Sequence, residues 1–218
     1  RLLIGTPARK DTGTRRTLTR ACATHWGDWK AIIANSQPHS ERRAIETLAA
    51  GKSFRDAFAA LPNFIQQLAI EAYQSSLWNR TVARMCRDAG LTKEAGSAIV
   101  ADGICEELVF PDARALPSAW LGESVPMLAP DVPLRGLWAA AARAELTADG
   151  LELDQLRLLG LRRPAFGTSL RPIVAKAESL AIDDAEADVF APKRLARRVR
   201  FTLPRGAYAT VLLMALGQ

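Results

Sequence analysis

The stretch NFIQQLAIEAYQSSLWNRTVARMCRD, residues 63–88, decides the fold class. No Gly or Pro interrupts it, Asn63 is a residue type that caps helix starts, and Gly90 stands where a left-handed C-terminal cap is wanted. The spacing predicts one long helix. Phe64, Leu68 and Ala72, then Ile65, Ala69 and Ala72, fall on adjacent stripes, and Trp78, Val82, Met85 and Cys86 continue the apolar face. So wide an apolar arc predicts a buried helix. Within it, Gln74, Ser75, Ser76, Asn79 and Arg80 concentrate hydrogen-bonding groups. Burying an amide without a partner costs about 1–3 kcal/mol, so these side chains need either internal partners or a ligand. Both readings are open at this level.

Upstream of that helix the pattern is also helical. WGDWKAII (26–33) reads as a short helix stopped by Pro38, and SERRAIETLAA (40–50) as another, with Ile45 and Leu48 on one face and Gly51 at its end. SFRD (53–56) has the form of a capping box, followed by Phe54, Phe58 and Leu61 at helical spacing and closed by Pro62. Residues 1–20 carry six basic residues among Gly and Thr and read as a loop-like, weakly anchored segment. Beyond Gly96, SAIVADGICEELVFPDA suggests short strands and turns, and Pro117, Pro126, Pro130 and Pro133 a loop-rich connection. Residues 134–147 and 152–160 read as two helices, the second beginning near Leu153. RPIVAKAESLAI holds a strand candidate, followed by the acidic patch Asp183, Asp184, Glu186 and Asp188. The C-terminal run alternates Val199, Phe201 and Leu203, turns at Pro204-Arg205-Gly206, and ends in an apolar tail read as a short helix.

The formal charge is +6, from 29 Lys and Arg against 23 Asp and Glu. A basic chain of this size fits either a polyanionic partner, RNA or DNA first, or a merely basic surface. Cys22, Cys86 and Cys105 show no C-x-x-C spacing, and His25 and His39 are the only histidines. Neither a disulfide framework nor a metal site is expected. No apolar run is long enough to span a bilayer, and a soluble, reducing, cytoplasmic setting is expected.

The segment FTLPRGAYAT, residues 201–210, completes the reading. Gly206 permits positive φ, so the chain can turn tightly into Tyr208. Locally this could be an ordinary hairpin. Taken with AYQSSLWN (72–79) and the Arg-bearing residues that follow, however, F-x-L-P-x-G-x-Y-A-T resembles the C-terminal signature of the tRNA pseudouridine synthase D (TruD) family. VADG (100–103), ESVPMLAP (123–130) and Arg162-Arg163-Pro164, with Arg171-Pro172 as a second candidate, follow in the family's order. The resemblance is close over 41–90 and 196–213 and looser between them.

The resemblance implies an α+β fold, in which a mixed, largely antiparallel catalytic sheet carries a helix-rich α/β insertion domain. Residues 1–40 would belong to the first half of the catalytic domain, 41–192 to the insertion, and 193–218 to the strand and helix that return to the sheet. It implies isomerisation of a uridine in transfer RNA, at family-typical position 13, to pseudouridine, with neither metal nor organic cofactor. The family's nucleophilic aspartate, in a Gly-x-Lys-Asp segment, and its Asn-Tyr-Phe-Gly aromatic segment have no match here. Lys10-Asp11 lacks that context, so the nucleophile is expected N-terminal to Arg1. Arg205, Gly206 and Tyr208 are implied as active-site supports, with Tyr208 packing beside the target base or in the core. Gln74, Asn79, Arg80, Lys193, Arg194, Arg197, Arg198 and Arg200 are the expected RNA contacts, with Arg194, Arg197 and Arg198 sharing a helical face. Met214 and Ala215 replace a family Arg-Glu pair. Two other classes stay open: a non-catalytic RNA-binding module of the same architecture, and a helical protein-interaction domain. The latter is favoured if the basic residues pair with the 183–188 acids.

Overall fold

The computed structural model describes residues 2–6, 11–91, 99–101, 105–108, 116–158, 160–161, 164–191 and 193–216. Lys10, Arg162, Arg163, Gly103 and the side chains of Met214 and Ala215 lie outside the described set. The chain divides into two compact units: residues 1–75 with 154–167, and residues 76–153 with 168–218.

The first unit is built from helices α1 (Leu2–Gly5), α2 (Gly13–Thr24), α3 (Trp29–Ala34), α4 (Arg42–Ala49) and α5 (Phe54–Ala59), and the first half of α6 (Asn63–Asp88). The basic N-terminal segment, expected to be loop-like, is largely helical instead. Thr12 accepts a hydrogen bond from the Arg15 amide and caps α2, whose Leu18, Ala21 and Cys22 reach the core. These three apolar side chains at helical spacing outweigh the surrounding charge. Asp28 caps α3 in the same way, and the capping box predicted at Ser53 and Asp56 is present in both directions. Ile32, Ala44, Ile45, Leu48, Ala57 and Leu61 close the core, with Trp26 and Trp29 packed edge-to-face against each other at 5.2 Å.

Helix α6 has the predicted bounds, and a Schellman motif ends it. The Leu91 amide donates to Cys86 O and the Gly90 amide to Arg87 O, with Gly90 at φ +72°. Its buried face matches the predicted one at Met85 and Cys86 and differs from it in the first half. Phe64 is 73% exposed and Leu68 46%, whereas Gln66, Ile70, Gln74, Leu77, Thr81 and Met85 are buried at spacings of three and four. The polar members of that stripe are each satisfied internally. Gln66 Nε2 donates to Ala59 O and Leu61 O, and Thr81 Oγ1 to Leu77 O. Internal hydrogen bonds remove the desolvation cost that made a polar buried stripe look improbable.

The second unit packs the C-terminal half of α6 with α7 (Ala139–Ala148) and four antiparallel two-stranded ladders, which makes the fold α+β. The ladders are β1 (Ile99–Ala101) with β2 (Cys105–Leu108), β3 (Ser124–Pro126) with β4 (Leu170–Pro172), β5 (Glu178–Ile182) with β8 (Val199–Thr202), and β6 (Glu186–Ala187) with β7 (Leu195–Ala196). The helix predicted over 152–160 is only a 3₁₀ turn at Leu153–Gln155, with residues 154–167 in the first unit. Chain 199–215 is strand, turn and then helix α8 (Ala209–Ala215), so the turn does not close a hairpin. Val125, Met127, Leu128, Trp138, Ala142 and Leu146 form the buried interior of this unit, and Trp78 Nε1 donates to Val125 O at 2.9 Å.

Cys22 and Cys86 are buried free thiols. Burial, reinforced by the nearby Glu41 carboxylate, pushes the Cys22 thiol up to about 11, and burial raises Cys86 as well. Because the thiolate is the reactive form, iodoacetamide at pH 8 should leave both unlabelled in the native protein and label both in urea. Rapid native labelling of Cys22, read by mass spectrometry, would contradict this packing.

Candidate nucleic-acid interface

The C-terminal ladder collects most of the residues singled out by sequence. Asp183 N donates to Arg198 O and Asp188 N to Arg194 O, so the acidic segment 183–188 runs antiparallel to the basic segment 193–200. Lys193 and Arg194 sit in the turn before β7, Arg197 and Arg198 between β7 and β8, and Arg200 on β8. They share an extended ladder, not the predicted helical face, because strand pairing with 183–187 takes up the backbone groups a helix would need. Spacing of three and four therefore has no meaning for Arg194, Arg197 and Arg198.

All five cations are exposed. Arg200 Nη2 pairs with Asp183 Oδ1 at 2.7 Å. Asp188 is also engaged, since its Oδ1 accepts from the amides of Phe190 and Ala191. Lys193, Arg194, Arg197, Arg198 and, in the following turn, Arg205 make no ion pair among the described residues. The surface therefore offers five cations against three acids that make no ion pair among the described residues, Glu178, Asp184 and Glu186. This imbalance favours a polyanion.

The FTLPRGAYAT segment spans β8, a turn and the start of α8. Ala207 N donates to Pro204 O at 3.1 Å, and Gly206 has φ +90°, the left-handed conformation for which Gly was expected. Tyr208 O then accepts from Val211 N and starts α8. The Tyr208 ring is 61% exposed, so it is not a core residue. Opposite Phe201, β5 is bulged: Glu178 pairs with Thr202 and Ala181 with Arg200, leaving Ser179 and Leu180 against one residue. Ser179 takes φ +52°, and among the described residues it alone is a non-glycine with positive φ. A bulge with a left-handed residue twists its strand locally and re-aims side chains. No sequence signal pointed to it.

Residues 74–80 behave differently. Gln74, expected as an RNA contact, is buried and its amide donates to Gly167 O at 2.8 Å, within the first unit. Beside it Tyr73 stacks edge-on against Phe166. In the second unit Arg80 forks onto Asp149, with Nη1 to Oδ1 at 2.8 Å and Nη2 to Oδ2 at 2.5 Å. Arg80 and Arg84 also bracket the buried Glu145 of α7, with Arg84 Nε 2.6 Å from Oε1. Two carboxylates already hold the Arg80 guanidinium, and a phosphate would have to displace them. Asn79 is exposed. Asp11 pairs with Arg15 at 3.1 Å, a structural role for that carboxylate. No group of three or more metal-ligating side chains occurs among the described residues, and no described helix is long and apolar enough to cross a membrane.

A family model described as tRNA pseudouridine synthase D (TruD) matches residues 1–216. The chain is 26% identical over 213 residues to tRNA pseudouridine synthase D of Aquifex aeolicus, covering 92% of this chain and 50% of that protein. It is 23% identical over 220 residues to a probable tRNA pseudouridine synthase D of Methanococcus maripaludis, covering 98% and 55%. A crystal structure from Methanosarcina mazei carrying the same TruD name superposes with a TM-score of 0.63 at 17% identity, over 98% of this chain and 52% of that one. The chain thus spans about half the length of the relatives it matches.

Proposed function

Because the chain belongs to the tRNA pseudouridine synthase D (TruD) family, we propose that it forms part of an enzyme that converts a uridine of transfer RNA, at the family-typical position 13, to pseudouridine. The observation that carries this reading is the strand–turn–helix at 199–215, which contains FTLPRGAYAT and is led into by cations that make no ion pair among the described residues.

Each part of that arrangement has a task. A glycosidic bond inside a stacked helix is out of reach, so the target nucleotide must be extruded and its flanking phosphates held. Lys193, Arg194, Arg197, Arg198 and Arg205 supply that hold, with Arg200 joining them when it releases Asp183. The turn at Gly206 brings the exposed Tyr208 ring to the end of β8, where it can pack beside an extruded base. Isomerisation neither adds nor removes atoms, so no co-reactant has to be supplied. A carboxylate nucleophile is required. Residues 1–218 hold no Gly-x-Lys-Asp segment, and Asp11, which pairs with Arg15, lacks that context. On this reading 1–40 and 193–218 flank the 41–192 insertion as parts of the catalytic domain, and the protein works in the cytoplasm.

The Arg200–Asp183 pair is what a protein-interaction domain without RNA would show repeatedly. It accounts for one cation of the set. The two readings part in a filter-binding assay with unmodified transfer RNA at two salt concentrations. The 218-residue chain should bind, more weakly at the higher salt, and form no pseudouridine. A TruD relative that carries the Gly-x-Lys-Asp segment, assayed in parallel, should form it at a single uridine, detected by chemical mapping. Absence of salt-dependent binding would leave the interaction domain as the better reading.

A further inference from the structure

The loop joining β6 to β7 carries two highly exposed apolar side chains. Phe190 is 97% exposed and Val189 is 88% exposed, with Leu195 at 75% on the adjoining strand. The loop around them is well organised: Asp188 Oδ1 accepts the Phe190 and Ala191 amides at 2.8 and 3.2 Å, Arg194 N donates to Ala191 O, and Asp188 N donates to Arg194 O. An aromatic face left in water forgoes the hydrophobic free energy that a partner covering it would recover. Charge complementarity says which partner. Lys193 and Arg194 follow within four residues, Arg197 and Arg198 lie just beyond β7, and none makes an ion pair among the described residues.

We propose that Phe190 is a stacking platform for an unpaired base of RNA, with Lys193, Arg194 and Arg197 holding the adjacent phosphates. An aromatic face interleaved with cations is how proteins bind single-stranded nucleic acid without reading its sequence. A duplex keeps its bases stacked on one another and offers this ring nothing beyond its phosphates. The contact lies outside the FTLPRGAYAT turn. It would hold a loop or flanking nucleotide while the target uridine is extruded. The inference rests on the RNA reading above, and the experiment separates the two.

The test compares the full 218-residue chain with its Phe190→Ala and Phe190→Trp variants, using a short oligouridine and a blunt RNA duplex as probes across a salt series. Phe190→Ala should weaken oligouridine binding about tenfold while duplex affinity and the salt slope stay unchanged. Phe190→Trp should restore the oligouridine affinity. Because the ring touches no core, both variants should unfold at the wild-type temperature, which shows that any loss is local. Oligouridine affinity that survives Phe190→Ala, or an equal loss on both probes, would overturn the stacking role and leave Phe190 as a protein-packing residue. If the wild-type chain bound neither probe, the RNA reading itself would fall and the stacking role with it.

Discussion

Reversing charge at Lys193, Arg194, Arg197 and Arg198 together (each to Glu) is expected to weaken transfer RNA binding and to flatten its salt dependence. Each cation that neutralises a phosphate releases condensed counterions and adds about 0.9 to the slope of log affinity against log salt. Four lost contacts should therefore lower the slope by roughly 3 to 4. Between about 50 and 200 mM salt, that reduces the wild-type gain in affinity by about a hundredfold. The prediction depends on the ladder geometry: the side chains project from an extended segment into solvent, where no carboxylate among the described residues competes for them. Reversal of Arg80 serves as the contrast. Its guanidinium is clamped by Asp149 and Glu145, so Arg80→Glu should cost stability and leave the slope per folded molecule unchanged. A quadruple variant with the wild-type slope would remove the basic ladder from the RNA surface.

The second large effect concerns the first unit. Arg15→Ala is expected to destabilise the protein by about 3 kcal/mol, the lower end of what breaking a buried ion pair costs. Glu41 is 2% exposed and Arg15 Nη1 hydrogen-bonds its Oε1, while Oε2 has no hydrogen-bond partner and is already a cost. Without Arg15 the carboxylate would be buried with no counter-charge. Arg15 is itself 28% exposed and shared with Asp11, which holds the figure at the lower end. In a chain of this size that lowers the melting temperature by roughly 6–12 °C, measurable by calorimetry. The double variant Arg15→Met, Glu41→Leu removes the buried Glu41 charge together with its partner and should recover the part of the loss due to Glu41, while the part due to the Asp11–Arg15 pair stays lost in both variants. Equal losses in the single and double variants would show that the pair acts through packing alone.

How much of this was legible beforehand follows from the range of the interactions involved. The bounds of α6, the capping box at Ser53 and the positive φ of Gly206 depend on neighbours within a few residues, and the order of the polypeptide determines them directly. Family membership belongs to the same class, because motif spacing is itself a property of the sequence. The tertiary structure decided the rest. Which face of α6 is buried turned on carbonyls at Ala59, Leu61 and Gly167 that satisfy two glutamines, and the last lies 93 residues from its donor. Whether 193–200 is helix or strand turned on the acidic segment that pairs with it, and whether Arg80 is available turned on two carboxylates in and beside α7. A side chain's partners across the chain are not encoded in its own periodicity. A buried polar group is stable only when such a partner arrives, and folding alone brings it there.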